Sequence, residues 1–296
     1  MELQWPLILF TTLVAWCSGL FASQCILALQ GQAKKSQMTA WIVSAILLVA
    51  GGVSVFLHLQ HWERIFNGFG HLTSGITQEL IMIVVLAVVA IIYLVYLRKS
   101  DDGGTVPKWV AIAGIVASVG LVLVMAHSYM MAARPAWNSI LEVLSLVGAA
   151  CVMGPATMAA IVALRKDEAE SVGLHTVIGT LVNAVTSVAY LVYMQISGSS
   201  FASVGYSFDP THPGIEPLHM MEKTGVFSGE YAMLTWLGVI VIGVLVPVVL
   251  SLLANKKKDG RTWAYCGIII AVAGCIGAVC LRILFYHLGI SVLPLY

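Results

Sequence analysis

The sequence predicts an all-α polytopic membrane protein with eight transmembrane helices and both termini on the outer side of the membrane. Of its 296 residues, 59% are hydrophobic and only 10% are charged, whereas about a quarter of the residues of a soluble domain are charged. Eight apolar runs approach or exceed the roughly 20 residues that span a bilayer. Backbone groups in lipid must pair within their own segment, and the alternating pattern of a barrel strand is absent, so these runs are predicted to be helices.

The predicted spans form a single membrane domain over residues 1–296. The first run lacks a basic leading segment and an A-x-A cleavage site and is too long for a signal-peptide core, so we expect it to stay as a span. The one long connection, 197–229, is rich in glycine, proline and aromatics, which favours an ordered outer loop or docking surface. In chain order the spans fall at about 5–30, 39–60, 77–97, 109–131, 138–164, 173–196, 230–253 and 263–291.

The basic residues of the connections predict the orientation, because cytoplasmic loops carry the excess of lysine and arginine. The second, fourth and sixth connections hold only Arg64, Arg134 and Lys223. The odd-numbered connections are therefore expected in the cytoplasm. They hold the remaining basic residues outside the spans: Lys34, Lys35, Arg98, Lys99, Lys108, Arg165, Lys166, Lys256, Lys257, Lys258 and Arg261.

Composition also excludes several function classes. The 15 basic and 14 acidic residues leave no basic stripe for nucleic acid. All six cysteines lie inside apolar runs without a C-x-x-C pair, which is typical of small buried side chains. We therefore expect no metal site and no iron–sulfur cluster in this chain.

Ionisable residues concentrate between the second and third spans, from His58 to Glu79. Charged groups at a membrane edge are costly and tend to serve a function or pair with a partner. This stretch is therefore predicted to form one wall of a proton-handling pocket. Its ionisable residues are His58, His61, Glu63, Arg64, His71 and Glu79.

His58 and Glu79 are the strongest candidates for proton transfer. His58 and His61 are three residues apart and share a face if the second span extends that far, and histidine exchanges protons near neutral pH. The alternative is that both are interfacial anchors. Glu79 heads the third span, where the helix dipole alone could explain it, but a carboxylate entering an apolar run is also a candidate proton acceptor.

Arg282 lies inside the last apolar span, which contains no acid to neutralise it. It is expected to pair with a carboxylate of another helix, and Glu79, Glu142 and Glu230 have compatible depth. Tyr286 follows one turn later, so this face could contact a ring-shaped ligand with oxygen functions. A purely structural ion pair is the alternative.

His58, His127 and His287 are predicted to lie at one level of the membrane, an arrangement that permits a single outer haem. A second, stacked haem would need an inner pair of histidines, and only His175 is available. The two-haem hypothesis is therefore disfavoured.

Several stretches, in order along the whole chain, resemble the membrane-anchor subunits of dimethyl sulfoxide reductases, which belong to the complex iron–sulfur molybdoenzymes. His61 and Trp62 stand where that family has a small residue and proline, and Leu281 stands where it has glycine. The matching stretches are WPLILFT (5–11), HL with RIFN (58–67), TQE ending at Glu79, PAWNS (135–139), MGP (153–155) and LRILFYHLGI (281–290).

The resemblance implies an anchor in a bacterial or archaeal cytoplasmic membrane that oxidises quinol, usually menaquinol, near the outer face without haem. His58 and Glu79 match family positions implicated in quinol binding and deprotonation. His61, Arg64, Arg282 and Tyr286 are further candidate contacts. The implied partners are a four-cluster iron–sulfur subunit and a molybdopterin catalytic subunit on the outer face, formed by residues 60–78, 132–138 and 197–229.

On this hypothesis the chain carries the quinol-oxidation site of an oxidoreductase complex but not its terminal reductase site. Two alternatives stay open from the residues alone. One is a proton-coupled secondary transporter, although such proteins tend to show inverted repeats and midplane sites that are not visible here. The other is a haem b cytochrome anchor.

Overall fold

The structure, a computed structural model, describes residues 4–57, 70–198, 225–257 and 259–289. Within these ranges it contains eight helices that are long and apolar enough to cross a membrane, which confirms the all-α fold class. That residues 1–296 form one domain stays a prediction. The helices are α1 (Trp5–Leu29), α2 (Gln37–Phe56), α3 (Gly75–Lys99), α4 (Lys108–Ser128), α5 (Ile140–Leu164), α6 (Val172–Gly198), α7 (Gly229–Lys257) and α8 (Gly260–Leu288).

The most buried span is α5, which packs against α1, α6 and α8. Helices α1 to α4 form one half of the bundle and α5 to α8 the other, and the α1–α5 contact joins them. This contact depends on glycine: a Cβ added to Gly154 would lie 2.1 Å from the carbonyl carbon of Gly19. Small residues let helix backbones approach closely in membranes, where lipid offers no hydrophobic driving force.

Helix α7 is not uniform. It starts with a tight turn at Gly229–Tyr231, continues in wide π-type turns over Leu234–Leu245, and becomes a regular α-helix at Val246–Lys257. The side-chain amide of Asn183 in α6 donates to the carbonyl oxygen of Gly243 at 3.0 Å. A side chain of the neighbouring helix therefore supplies a hydrogen-bond donor to a backbone carbonyl within the π-type region.

The first, third and fifth connections meet at one end of the bundle. The Lys34 ammonium lies 2.8 Å from Asp102, and the Ser36 backbone amide and hydroxyl both donate to Asp167 at 2.8 Å. Hydrogen bonding by Lys34 holds the pKa of Asp102 below its usual range. We call this the odd-loop end. We call the opposite end the even-loop end, where residues 70–74, the fourth connection and the last turn of α8 lie.

Candidate functional site

A cavity of about 340 Å³ opens at the even-loop end among α1, α2, α3 and α4. Its walls are largely apolar, with Phe10 from α1, Val55 from α2 and Ile83 from α3. Polar groups line it as well, among them the Glu79 carboxylate and the Ser128 hydroxyl. An apolar cleft of this size with a few convergent polar groups is typical of a small-molecule site.

Glu79 lies in the second turn of α3 and is only 7% exposed. Its carboxylate accepts a hydrogen bond from the hydroxyl of Ser128, the last residue of α4. Gly75 makes this approach possible, because a Cβ there would lie 2.7 Å from the Ser128 Cβ. The start of α3 is thereby held against the end of α4, with the carboxylate between them.

The Ser128 hydroxyl has two possible acceptors. Besides Glu79, its oxygen lies 2.8 Å from the carbonyl oxygen of Met125. A hydroxyl has one hydrogen and accepts through its lone pairs. Ser128 can therefore donate to an ionised Glu79, or donate to Met125 while accepting a hydrogen bond from a protonated Glu79. The geometry suits both protonation states of the carboxyl group.

A buried ion pair lies nearby between the two halves of the bundle. Arg282 Nη1 of α8 donates to Glu142 Oε1 of α5 at 2.8 Å, and their side chains are 5% and 0% exposed. Ser139 caps α5 by accepting from the Leu141 amide at 3.2 Å, which places Glu142 in the first turn. Among the described residues, Arg282 Nη2 and Glu142 Oε2 have no hydrogen-bond partner.

Tyr129 forms a wall shared by the cavity and the ion pair. It lines the cavity, and its ring centroid lies 5.6 Å from the guanidinium carbon of Arg282. The ring also meets Phe285 edge-on, with 5.9 Å between centroids. A cation against an aromatic face is attracted by the ring quadrupole, so Arg282 helps to hold Tyr129 in place.

The segment 134–138 fixes the end of α8 beside this wall. The Trp137 indole donates to the Phe285 carbonyl at 2.6 Å and stacks on the Phe285 ring at 4.3 Å. Arg134 donates to the Gly289 carbonyl at 3.0 Å, and the Tyr190 hydroxyl of α6 donates to the Ala136 carbonyl at 3.0 Å. The fourth connection is therefore an anchored part of the even-loop end.

The structure separates the residues that the sequence singled out. Glu79 lines the cavity, whereas Arg282 and Tyr286 are buried behind Tyr129 and are not among the cavity-lining residues. Of the three acids considered for Arg282, the structure pairs it with Glu142. His58, His61 and Arg64 lie outside the described residues, but Val55, three residues before His58, lines the same cavity.

Sequence reasoning overlooked Ser128 and Tyr129. The available signal was a polar pair ending the fourth apolar run, at the predicted depth of Glu79.

Of the histidines that could hold a haem, His127 is exposed, and His287 lies against the Tyr231 ring at 5.2 Å between centroids. In the part of the chain that the structure describes, no group of three or more His, Cys, Asp or Glu side chains could hold a metal ion.

Comparison with known proteins supplies the family. The family model described as "Polysulphide reductase, NrfD" matches residues 2–294, which is almost the whole chain. No curated protein matches the sequence. Members of this family are multi-pass anchors of the prokaryotic cytoplasmic membrane that bind quinol, lack haem and partner with iron–sulfur subunits of molybdoenzyme complexes. The chain belongs to the NrfD polysulphide reductase family and is a quinol-oxidising membrane anchor of that general type.

Proposed function

We propose that this chain anchors a dimethyl sulfoxide reductase-like complex and oxidises menaquinol in the cavity at the even-loop end. The observation that carries the proposal is the placement of Glu79. It is a buried carboxylate in a largely apolar cavity, hydrogen-bonded to a hydroxyl that suits either protonation state. A site that oxidises quinol needs such a group, because the hydroxyl protons of quinol must be accepted as its electrons leave.

The cavity suits a quinol head group in size and polarity. Its volume of about 340 Å³ falls in the range of small-molecule pockets. Apolar walls such as Phe10 and Ile83 can contact the ring faces, and Glu79 can accept a hydrogen bond from one ring hydroxyl. The Tyr129 wall then borders the same ring.

Oxidation of one quinol releases two protons and two electrons. In the proposed mechanism one hydroxyl proton passes to Glu79, and the Ser128 hydroxyl turns to the Met125 carbonyl as the carboxyl becomes neutral. His58 accepts the second proton, with His61 and Arg64 as further contacts; these three assignments come from sequence. The electrons pass to an iron–sulfur cluster of the partner, and both protons leave to the outside.

In this proposal Arg282 and Tyr286 act through Tyr129 and do not contact the quinol. Arg282 is neutralised by Glu142 and lies against the Tyr129 ring. These residues therefore fix the position of one cavity wall. The sequence suggested that a ring-shaped ligand contacts the Arg282 and Tyr286 face of α8. In this proposal the quinol ring instead lies in the cavity, on the other side of Tyr129.

Orientation and partners follow from the charges and from the order of the family-like motifs. The odd-loop end carries the basic connections and is proposed to face the cytoplasm, so that the cavity opens near the outer face. The anchored segment 134–138 then belongs to the surface that docks a four-cluster iron–sulfur subunit, which connects to a molybdopterin catalytic subunit. The sequence resemblance supports dimethyl sulfoxide reductase as the type of complex.

The test replaces Glu79 by glutamine, which keeps shape but cannot accept the proton. Glu79→Gln should leave assembly with the iron–sulfur subunit intact and lower quinol-driven cluster reduction at least roughly tenfold, a lower bound set beneath the roughly hundredfold or more that a positioned acid or base contributes. Glu230→Gln is the matched control, because Glu230 is an exposed acid at the start of α7. Unchanged turnover in Glu79→Gln would refute the assignment.

A further inference from the structure

A second cavity, of about 190 Å³, lies deeper in the same half of the bundle. Helices α1, α2 and α3 line it with side chains such as Phe21, Leu48 and Leu86. Like the first cavity, it is only partly enclosed. No charged side chain lines it, and its polar contribution includes the Ser44 hydroxyl, which has no hydrogen-bond partner among the described residues.

The two cavities lie on the same faces of the helices that line them. On α3, Glu79 and Ile83 line the first cavity, and Leu86 and Ala90 line the second. These four residues are spaced four, three and four apart, which places them in one row along a helix. On α1 the same relation holds for residues 7 and 10, which line the first cavity, and 17 and 21, which line the second.

On α2 the space between the cavities is open. Val55 lines the first cavity and Leu48 the second, and Gly52 lies between them on the same face, three residues from one and four from the other. A Cβ added to Gly52 would meet no atom of the rest of the protein within 4 Å. The row from Val55 to Ser44 is roughly 16 Å long at 1.5 Å per residue. It borders the first cavity at one end and the second at the other, with open space at Gly52 between them, and we call the space beside this row the α2–α3 cleft.

The cleft is closed toward the odd-loop end. There the Trp41 indole of α2 donates to the Ala90 carbonyl of α3 at 2.8 Å. One turn further, the Tyr93 hydroxyl of α3 donates to the Gln37 side chain of α2 at 2.8 Å. Helices α2 and α3 are thus tied together at this end, on the side of the second cavity that is remote from Glu79.

From this geometry we propose that the isoprenoid tail of the quinol lies in the α2–α3 cleft, from the Glu79 cavity down to Trp41. The inference rests on the proposed quinol site, because the head group in the first cavity determines where the tail begins. A quinol head carries a polyprenyl chain that must leave the cavity through an apolar exit, and the second cavity offers apolar space on the same three helices, one to three turns further along them.

The cleft then has a second role, which is to select the substrate class. A polyprenyl quinol fills both cavities, whereas a tailless naphthoquinol fills only the first. Trp41 marks the inner end of the ordered part of the tail. Gly52 leaves open space beside the path, and a side chain at this position would occupy space that the tail needs.

The test compares Gly52→Leu with Val53→Leu in the complete complex in nanodiscs. Leucine at Gly52 enters the open space, and its helix propensity exceeds that of glycine, so α2 should form normally. Val53 is the adjacent residue, 54% exposed and not among the residues lining either cavity, and serves as the matched control. Each variant is assayed for cluster reduction by long-tailed menaquinol and by tailless menadiol.

Gly52→Leu should raise the KM for long-tailed menaquinol at least about fivefold through overpacking of the tail. It should leave the rate with menadiol within about twofold, as should Val53→Leu with either substrate. Equal losses with both substrates, or no loss with either, would overturn the tail site, and the latter would indicate that the cleft holds only lipid. The proposed function fails separately, if Glu79→Gln retains full turnover of both substrates.

Discussion

The buried Glu142–Arg282 pair offers a sharp prediction, because a second ion pair in the same chain has the same length and a different environment. Both pairs have N–O distances of 2.8 Å, but the side chains of Arg282 and Glu142 are 5% and 0% exposed, whereas those of Lys34 and Asp102 are 50% and 41% exposed. Removing one partner of a buried pair leaves an uncompensated charge and costs about 3–5 kcal/mol. Exposed pairs contribute about 0–1 kcal/mol.

We therefore expect Glu142→Leu and Arg282→Met each to destabilise the chain by about 3–5 kcal/mol. The double variant should cost less than either single variant, because no buried charge is left and apolar side chains fill the space. Lys34→Met, Asp102→Asn and their double variant form the control cycle, in which every change should stay within about 1 kcal/mol.

The assay is a double-mutant cycle on the purified complex, with unfolding of the anchor followed by denaturant titration in mixed micelles. The coupling energy between Glu142 and Arg282 is the difference between the double variant and the sum of the single variants. A coupling energy near zero, with additive losses, would contradict the view that these two residues stabilise each other as a neutral unit beside Tyr129.

Two further predictions concern the site and the bundle. Ser128→Ala should leave assembly of the complex intact but slow quinol oxidation about fivefold, which corresponds to roughly 1 kcal/mol for one lost hydrogen bond. The rate is measured by stopped-flow cluster reduction. A rate equal to that of the wild type would show that Ser128 does not support the proton step. Gly277→Val should destabilise the α7–α8 contact by about 1–3 kcal/mol, because a Cβ at Gly277 would lie 2.3 Å from the Gly243 Cα. Thermal unfolding measures this loss, and an unchanged midpoint would rule out the close contact.

Composition and the length of the apolar runs were sufficient to predict the fold class. In lipid every backbone group must be paired within its segment, so an apolar run of 20 residues has few alternatives to a helix. The odd-numbered connections were expected on one side from their charge, and the contacts of Lys34 with Asp102 and of Ser36 with Asp167 bring three of them together. The wide turns of α7 had no sequence signal that we recognised.

The site was only partly predictable because contacts between helices are not encoded in local patterns. Glu79 was identified because a carboxylate at the head of an apolar run is costly, and that reasoning needs only one helix. Predicted depth in the membrane reduced the candidate partners of Arg282 to three acids. It could not identify the actual partner, because that depends on how α5 and α8 are rotated relative to each other. Ser128 and Tyr129 were overlooked for the same reason, because their importance arises only where α4 meets α3 and α8.

Proton uptake by Glu79 can be observed directly by infrared difference spectroscopy of the complex, comparing the oxidised state with the quinol-reduced state. The account predicts a protonated-carboxyl band that changes on reduction, disappears in Glu79→Gln and persists in Glu230→Gln. A band that is unchanged in Glu79→Gln would show that another group accepts the proton and would contradict the central claim.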